Sequence, residues 1–176
     1  MALNMDIRLK PYDLKTGERV LSKQEVERLI GHTIPDALVQ FISQSGTPFT
    51  FEQEIRVQVI EPNPLTDKNG RQIVLVVFGL TNGKDGIPQK YTSYKDRIGR
   101  KCIPFASDGL DNLFVLDTDD TSVYFWHHEH MNGETSLDAL TKVANSVEDF
   151  IAGLEVFEED NQAALGGGVK RVSFDF

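Results

Sequence analysis

A chain of 176 residues with 40% hydrophobic and 26% charged residues is long enough for one globular domain that buries about 70% of the surface its unfolded chain exposes. Its single cysteine, Cys102, excludes an internal disulfide. No apolar run approaches the roughly 20 residues that span a bilayer, and the opening "MALNMDIRLKPYDL" lacks the apolar core of a secretory signal, so the expectation is a soluble, cytoplasmic protein.

The elements follow in chain order. "SKQEVERLIG" predicts a short helix: Ser22 stands as N-cap with Glu25 three residues on, Val26, Leu29 and Ile30 fall at helical spacing, and Gly31 ends it. "IPDALVQFISQSG" predicts a second helix entered through Pro35, with Leu38, Phe41 and Ile42 on one face and Gly46 as its stop. The period then changes. "FEQEIRVQVIE" alternates Ile55, Val57 and Val59 inward, "RQIVLVVFGL" is a more fully apolar strand, and the Pro- and Asn-Gly-containing connection makes a long-looped hairpin of the two. "TNGKDGIPQKYTSYKDRIGRK" reads as a polar surface excursion, a loop or short helix, and holds six of the 18 basic residues. Asp85 and Asp96 interrupt it and it lacks a nucleic-acid-binding motif, so no nucleic-acid partner is expected.

Three strands in quick succession, "CIPFA", "NLFVLDT" and "SVYFWHHE", form an antiparallel meander because their connections are short. Trp126, on the same face as Tyr124, is placed inside the sheet layer. The last regular element is a helix opening at Ser146, with Val147, Phe150, Ile151 and Leu154 on one face. Residues 1–158 are read as one domain. Residues 159–176 are read as a linker and a carboxy-terminal extension, with a terminal strand through Val172, Phe174 and Phe176. The fold class is α+β: a twisted, mainly antiparallel sheet with helices packed against it.

Three groups of residues invite a chemical reading. The run "HHEH" puts three of four histidines within four positions, but adjacent side chains diverge on a strand, and zinc spacings such as HxxxH are missing. His128 and His130 could still converge with Asp108 or Asp111 in a metal-assisted hydrolase; the alternative is a polar lip where the strand leaves the sheet. Cys102 opens an apolar run and reads as a buried thiol, Ser107 lacks a nucleophile elbow and reads as a turn residue, and "LGGGV" lacks the GK[ST] of a phosphate loop. No catalytic residue, metal or cofactor is assigned.

The third group is acidic. Residues 1–101 carry 15 Lys/Arg against 12 Asp/Glu, whereas residues 102–176 carry 3 against 15. Between Cys102 and Thr141 there is no Lys or Arg, and Asp108, Asp111, Asp117, Asp119, Asp120 and Glu129 are the acids marked out there as candidate partner-binding residues. Such a stretch is either a solvated surface or a face that attracts a basic partner. It is unsuited to nucleic-acid phosphates. The turns 107–112 and 117–122 close opposite ends of the middle strand, so the acids form two patches, with Asp108 and Asp111 near Glu129.

The order of these pieces resembles the SUKH superfamily in its Smi/Knr branch. The resemblance lies in Pro35 and Gly46; in Pro104, Phe105, Asp108 and Gly109; in Leu116 and Asp117; in Val123, Tyr124, Trp126, His128 and Glu129; and in Phe150. It covers about half the chain, in the family's order. It implies an α+β fold with a twisted antiparallel sheet and a non-enzymatic binding role, that of an immunity protein neutralising a polymorphic toxin, in many cases a nuclease; the charge split of the chain makes a basic toxin domain the expected partner. A regulatory scaffold role is the alternative that eukaryotic relatives imply.

Overall fold

The computed structural model describes residues 6–158. The expected extension from 159 onward lies outside the described residues. Eight strands and four α-helices follow in the order β1 (Leu9–Pro11), α1 (Lys23–Ile30), α2 (Asp36–Ser43), β2 (Phe49–Gln58), β3 (Arg71–Val77), α3 (Ile87–Tyr94), β4 (Cys102–Ser107), β5 (Leu113–Asp117), β6 (Val123–Trp126), β7 (Leu140–Ala144), α4 (Val147–Ala152) and β8 (Leu154–Val156). The strands form one antiparallel sheet in sequential order from β1 to β7, with β8 beside β2. Past β2 the chain reaches the far end of the sheet, where Ile60 N–H donates to Val143 O at 3.2 Å and Glu61 N–H to Lys142 O at 2.8 Å.

The helix signals act as the sequence requires. Ser22 accepts from Glu25 N–H at 3.2 Å while the Glu25 carboxylate accepts from Ser22 N–H at 2.8 Å, satisfying two donors at the α1 terminus. Gly31 ends the helix with φ 73°, in the left-handed region where a side chain is disfavoured. Pro35 opens α2, whose Leu38, Phe41 and Ile42 are buried, with Phe41 edge-on to Phe49 of β2.

The hairpin of β2 and β3 forms as expected, with a register shift between Thr50 and Ile55. Asp67 organises its long connection: it accepts from Asn69 N–H at 2.8 Å, Arg71 N–H at 2.9 Å and Arg56 Nη1 at 2.7 Å. Burial works against the charge of Asp67, yet these donors hold its pKa well below the usual carboxylate range. β3 is less buried than its apolar sequence suggests, since Ile73 and Leu75 are 37% and 46% exposed.

The meander β4–β5–β6 is the centre of the fold and is buried on both faces. Phe114 and Phe125, opposite each other in register, meet edge-on, and Phe114 also meets Phe150 of α4, which packs edge-on to Phe105. Leu113 and Trp126, also opposite each other, face the other way, where Tyr94 of α3 packs edge-on to Trp126 with ring centroids 5.8 Å apart. The 81–101 segment is therefore more than a surface excursion. Ile87 and Ile98 are buried, and Tyr91 and Tyr94 pack against the core. These four positions recur at the four- and three-residue steps of a helical stripe, a signal that the surrounding lysines and glycines mask. Strands β1, β7 and β8 were not expected. Each is three to five residues long, too short for the period-2 pattern to stand out. Ser107, expected in a turn, is the last residue of β4.

Trp126 is fully buried and donates its indole N–H to Glu134 O at 2.8 Å. Trp126→Ala is expected to destabilise the protein by about 3–5 kcal/mol. Equilibrium denaturation measures this, and a loss below about 1 kcal/mol would contradict the placement.

Candidate interaction surface

The candidate acids occupy the two ends of β5, and their roles separate by burial. At one end Asp108, only 9% exposed, accepts from Leu110 N–H at 2.8 Å and from Asn112 Nδ2 at 2.9 Å, holding the 108–112 turn shut. Gly109 (φ 86°) and Asp111 (φ 63°) make the reversal possible, and a Cβ on Gly109 would run into the Leu75 side chain. The turn leaves Asp111 and Leu110 facing solvent. Asn112 then ties it to the exit of β6: its Oδ1 accepts from His128 N–H at 3.2 Å and lies 2.9 Å from His128 Nδ1. Glu129 is exposed beside it, 3.9 Å from His128 Nε2. The structure thus brings Asp108, Asp111 and Glu129 to one end of the sheet.

At the other end Asp117, 1% exposed, accepts from the N–H groups of Asp119 at 2.8 Å and Asp120 at 3.1 Å. Its second oxygen faces Arg100 Nη2 at 2.7 Å, an ion pair whose angle misses a hydrogen bond. Asp120 accepts from Ser122 N–H at 2.8 Å and from the Tyr124 hydroxyl at 3.0 Å. Burial disfavours its charge, but these donors outweigh burial and lower its pKa. Asp119 is exposed, and Thr121 takes a left-handed φ of 61°. Of the six candidates, Asp108 and Asp117 are therefore buried and committed to holding turns, Asp120 is exposed but also bonded within its turn and 3.9 Å from Arg100, and Asp111, Asp119 and Glu129 present charge to solvent.

The uneven charge of the chain is partly cancelled in space. Arg97 forms a bidentate pair with Glu134, its Nη2 at 2.7 Å, Arg100 meets Asp117, and Lys90 lies 3.2 Å from Asp85. Three of the six cations in the 81–101 segment thus serve the fold. The Arg97–Glu134 pair and the Trp126 indole together anchor the 127–139 connection, and Gly99 lies so close to Thr135 O that a side chain there would collide with it.

Among the described residues no group of three or more His, Cys, Asp or Glu is arranged to hold a metal ion. His128 Nδ1 is engaged by Asn112, and His130 Nδ1 accepts from Asn132 N–H at 3.2 Å. His127 and His130 meet edge-on with centroids 6.1 Å apart. The run is the lip at which β6 leaves the sheet. Burial of Cys102, reinforced by Asp117, pushes its thiol up to about 12, leaving essentially no thiolate at neutral pH.

The chain matches the model of the SMI1 / KNR4 family (SUKH-1) over residues 22–153, a span that runs from the N-cap of α1 to the end of α4 and contains the whole meander. The chain belongs to this family. SUKH-1 members are generally immunity proteins without catalytic activity. A curated relative, the SPbeta prophage-derived uncharacterized protein YokK of Bacillus subtilis (strain 168), is 27% identical over 160 residues, covering 85% of this chain and 80% of its own length. No solved structure matches the chain. Among the described residues no helix is long and apolar enough to cross a membrane.

Two measurements check the local chemistry. Cys102 is expected to resist a thiol reagent at pH 8 in the native protein and to react at the rate of a free thiol in denaturant. Burial, aided by His130 and His128, lowers the His127 pKa below its ordinary 6.5. The neutral ring is thus favoured in the fold, so its contribution to stability is complete above about pH 6.5 and is lost as pH falls through the lowered value. His127→Gln is expected to flatten the fall in denaturation midpoint between pH 7 and 5 relative to wild type.

Proposed function

We propose that this chain is an immunity protein that binds and neutralises a cognate toxin domain with a basic surface. Membership of a family whose members are generally immunity proteins carries the reading. The chemistry supports a cationic partner. Asp111, Asp119, Asp120 and Glu129 stand exposed in a stretch without Lys or Arg from Cys102 to Thr141. A nuclease domain is cationic where it meets its substrate, and acids held on short, pinned turns can occupy that groove in place of phosphate while steering the encounter.

The test is co-expression with the variable carboxy-terminal domain of a large secreted protein encoded beside this gene. Growth is expected to be restored by this chain and not by an unrelated SUKH-1 protein. With the purified pair, association is expected to slow as salt rises from about 50 to 500 mM, because exposed charges are screened within about 10 Å at 0.1 M. Asp111→Asn combined with Glu129→Gln is expected to lower the on-rate with the melting temperature unchanged. Asp108 and Asp117 are unsuitable for this purpose because their loss would loosen the turns themselves. Absence of protection, or binding indifferent to salt, would overturn the reading.

A further inference from the structure

The most exposed large apolar side chains among the described residues are not scattered. Among the described residues Met131 is 91% exposed, Leu110 71% and Leu137 64%, ahead of every other large apolar side chain. Single exposed leucines are ordinary. These three, however, lie on two segments that the fold ties together at one end of the sheet. Leu110 tips the 108–112 turn, which Asn112 bonds to His128, and His127 O accepts from His130 N–H at 3.2 Å directly before Met131. Asn132 donates to Asp138 at 2.9 Å, which brings Met131 and Leu137 to the same part of the connection.

We propose that Leu110, Met131 and Leu137, with Asp111, Glu129 and Asp138 around them, form the docking surface of this protein, and that its occupant is the cationic toxin domain. The inference rests on the immunity reading and specifies which face performs it. Charge complementarity selects the occupant, since the exposed charged residues on these two segments, Asp111, Glu129 and Asp138, are all acidic and neither segment contains Lys or Arg. A basic surface with apolar sockets fits this arrangement: the leucines and the pliable methionine fill the sockets at the centre, and the carboxylates pair with cations at the rim. The segment is also held in place before binding. The Trp126 indole, the Arg97–Glu134 pair and the hydrogen bonds of Ser136 N–H to Gly133 O (3.1 Å) and Ala139 N–H to Ser136 O (3.1 Å) fix its path, so little ordering remains to be done on association. The acids at the far end, Asp119 and Asp120, lie outside this surface and contribute at most to steering.

Leu29 supplies a matched control. It is 62% exposed on α1, beside Arg28 and in the turn after Lys23, in a mixed-charge setting. A photo-crosslinking amino acid is introduced at position Met131, and separately at Leu29, in the full chain expressed in its own cells. The expected result is one identified basic protein domain joined at 131 and not at 29. With that domain purified, Leu110→Ser, Met131→Ser and Leu137→Ser combined are expected to weaken binding at least tenfold, with the melting temperature unchanged and Leu29→Ser without effect. The inference is overturned if position 131 yields no crosslink, if 29 yields the same partner equally, or if the triple variant binds as tightly as wild type. If co-expression protects while 131 stays silent, the docking surface fails and the immunity reading stands. If the partner joined at 131 is basic but harmless to cells, the surface stands and the immunity reading fails.

Discussion

Burial of the β4–β5–β6 meander on both faces is the constraint from which the rest of the structure follows. A strand triplet that reads Cys-Ile-Pro-Phe-Ala, Leu-Phe-Val-Leu and Val-Tyr-Phe-Trp has no polar face to offer water, so each side needs its own cover. Phe150 of α4 supplies it on the side of Phe105 and Phe114, with α2 beside α4. Tyr94 of α3 supplies it on the side of Trp126. The polar 81–101 segment therefore had to become a helix with an apolar stripe, and the connection after Trp126 had to fold back so that a carbonyl, Glu134 O, could accept the buried indole proton.

The same constraint sorts the charges. Bringing α3 and its tail over the meander carries Arg97 and Arg100 to Glu134 and Asp117, joining the basic end of the first half of the chain to the acidic second half. What remains exposed is a smaller set of acids at the strand ends, Asp111 and Glu129 at one and Asp119 and Asp120 at the other. A surface of this kind can recognise a cationic protein without any catalytic group. His128 is engaged by Asn112 and His130 by the Asn132 N–H, and burial keeps Cys102 protonated.

Much of the frame was legible because its signals are local. The capping box of Ser22 and Glu25, Gly31, Pro35 and Ser146 each act within a few residues, and the meander follows from short turns between apolar runs. Three features were not. β7 and the edge strands β1 and β8 exist only because neighbours offer them hydrogen bonds. Ile87, Tyr91, Tyr94 and Ile98 form a legible stripe only once the lysines between them are known to face away. The commitment of Asp108 and Asp117 to turn hydrogen bonds needed the folded backbone, since a carboxylate in a turn sequence reads the same whether it bonds inward or faces solvent.

The sequence by itself determined the α+β class, the sheet's antiparallel centre, the burial of Trp126 and the family, because periodicity, caps and an ordered set of motif residues are properties of the chain alone. Tertiary structure alone decided which acids remain at the surface, which cations they meet, and that the 108–112 turn is bonded to the connection carrying Met131 and Leu137. Those depend on distances between residues far apart in sequence, here set by the Asn112–His128 bond and the Trp126–Glu134 bond, and no local pattern encodes them.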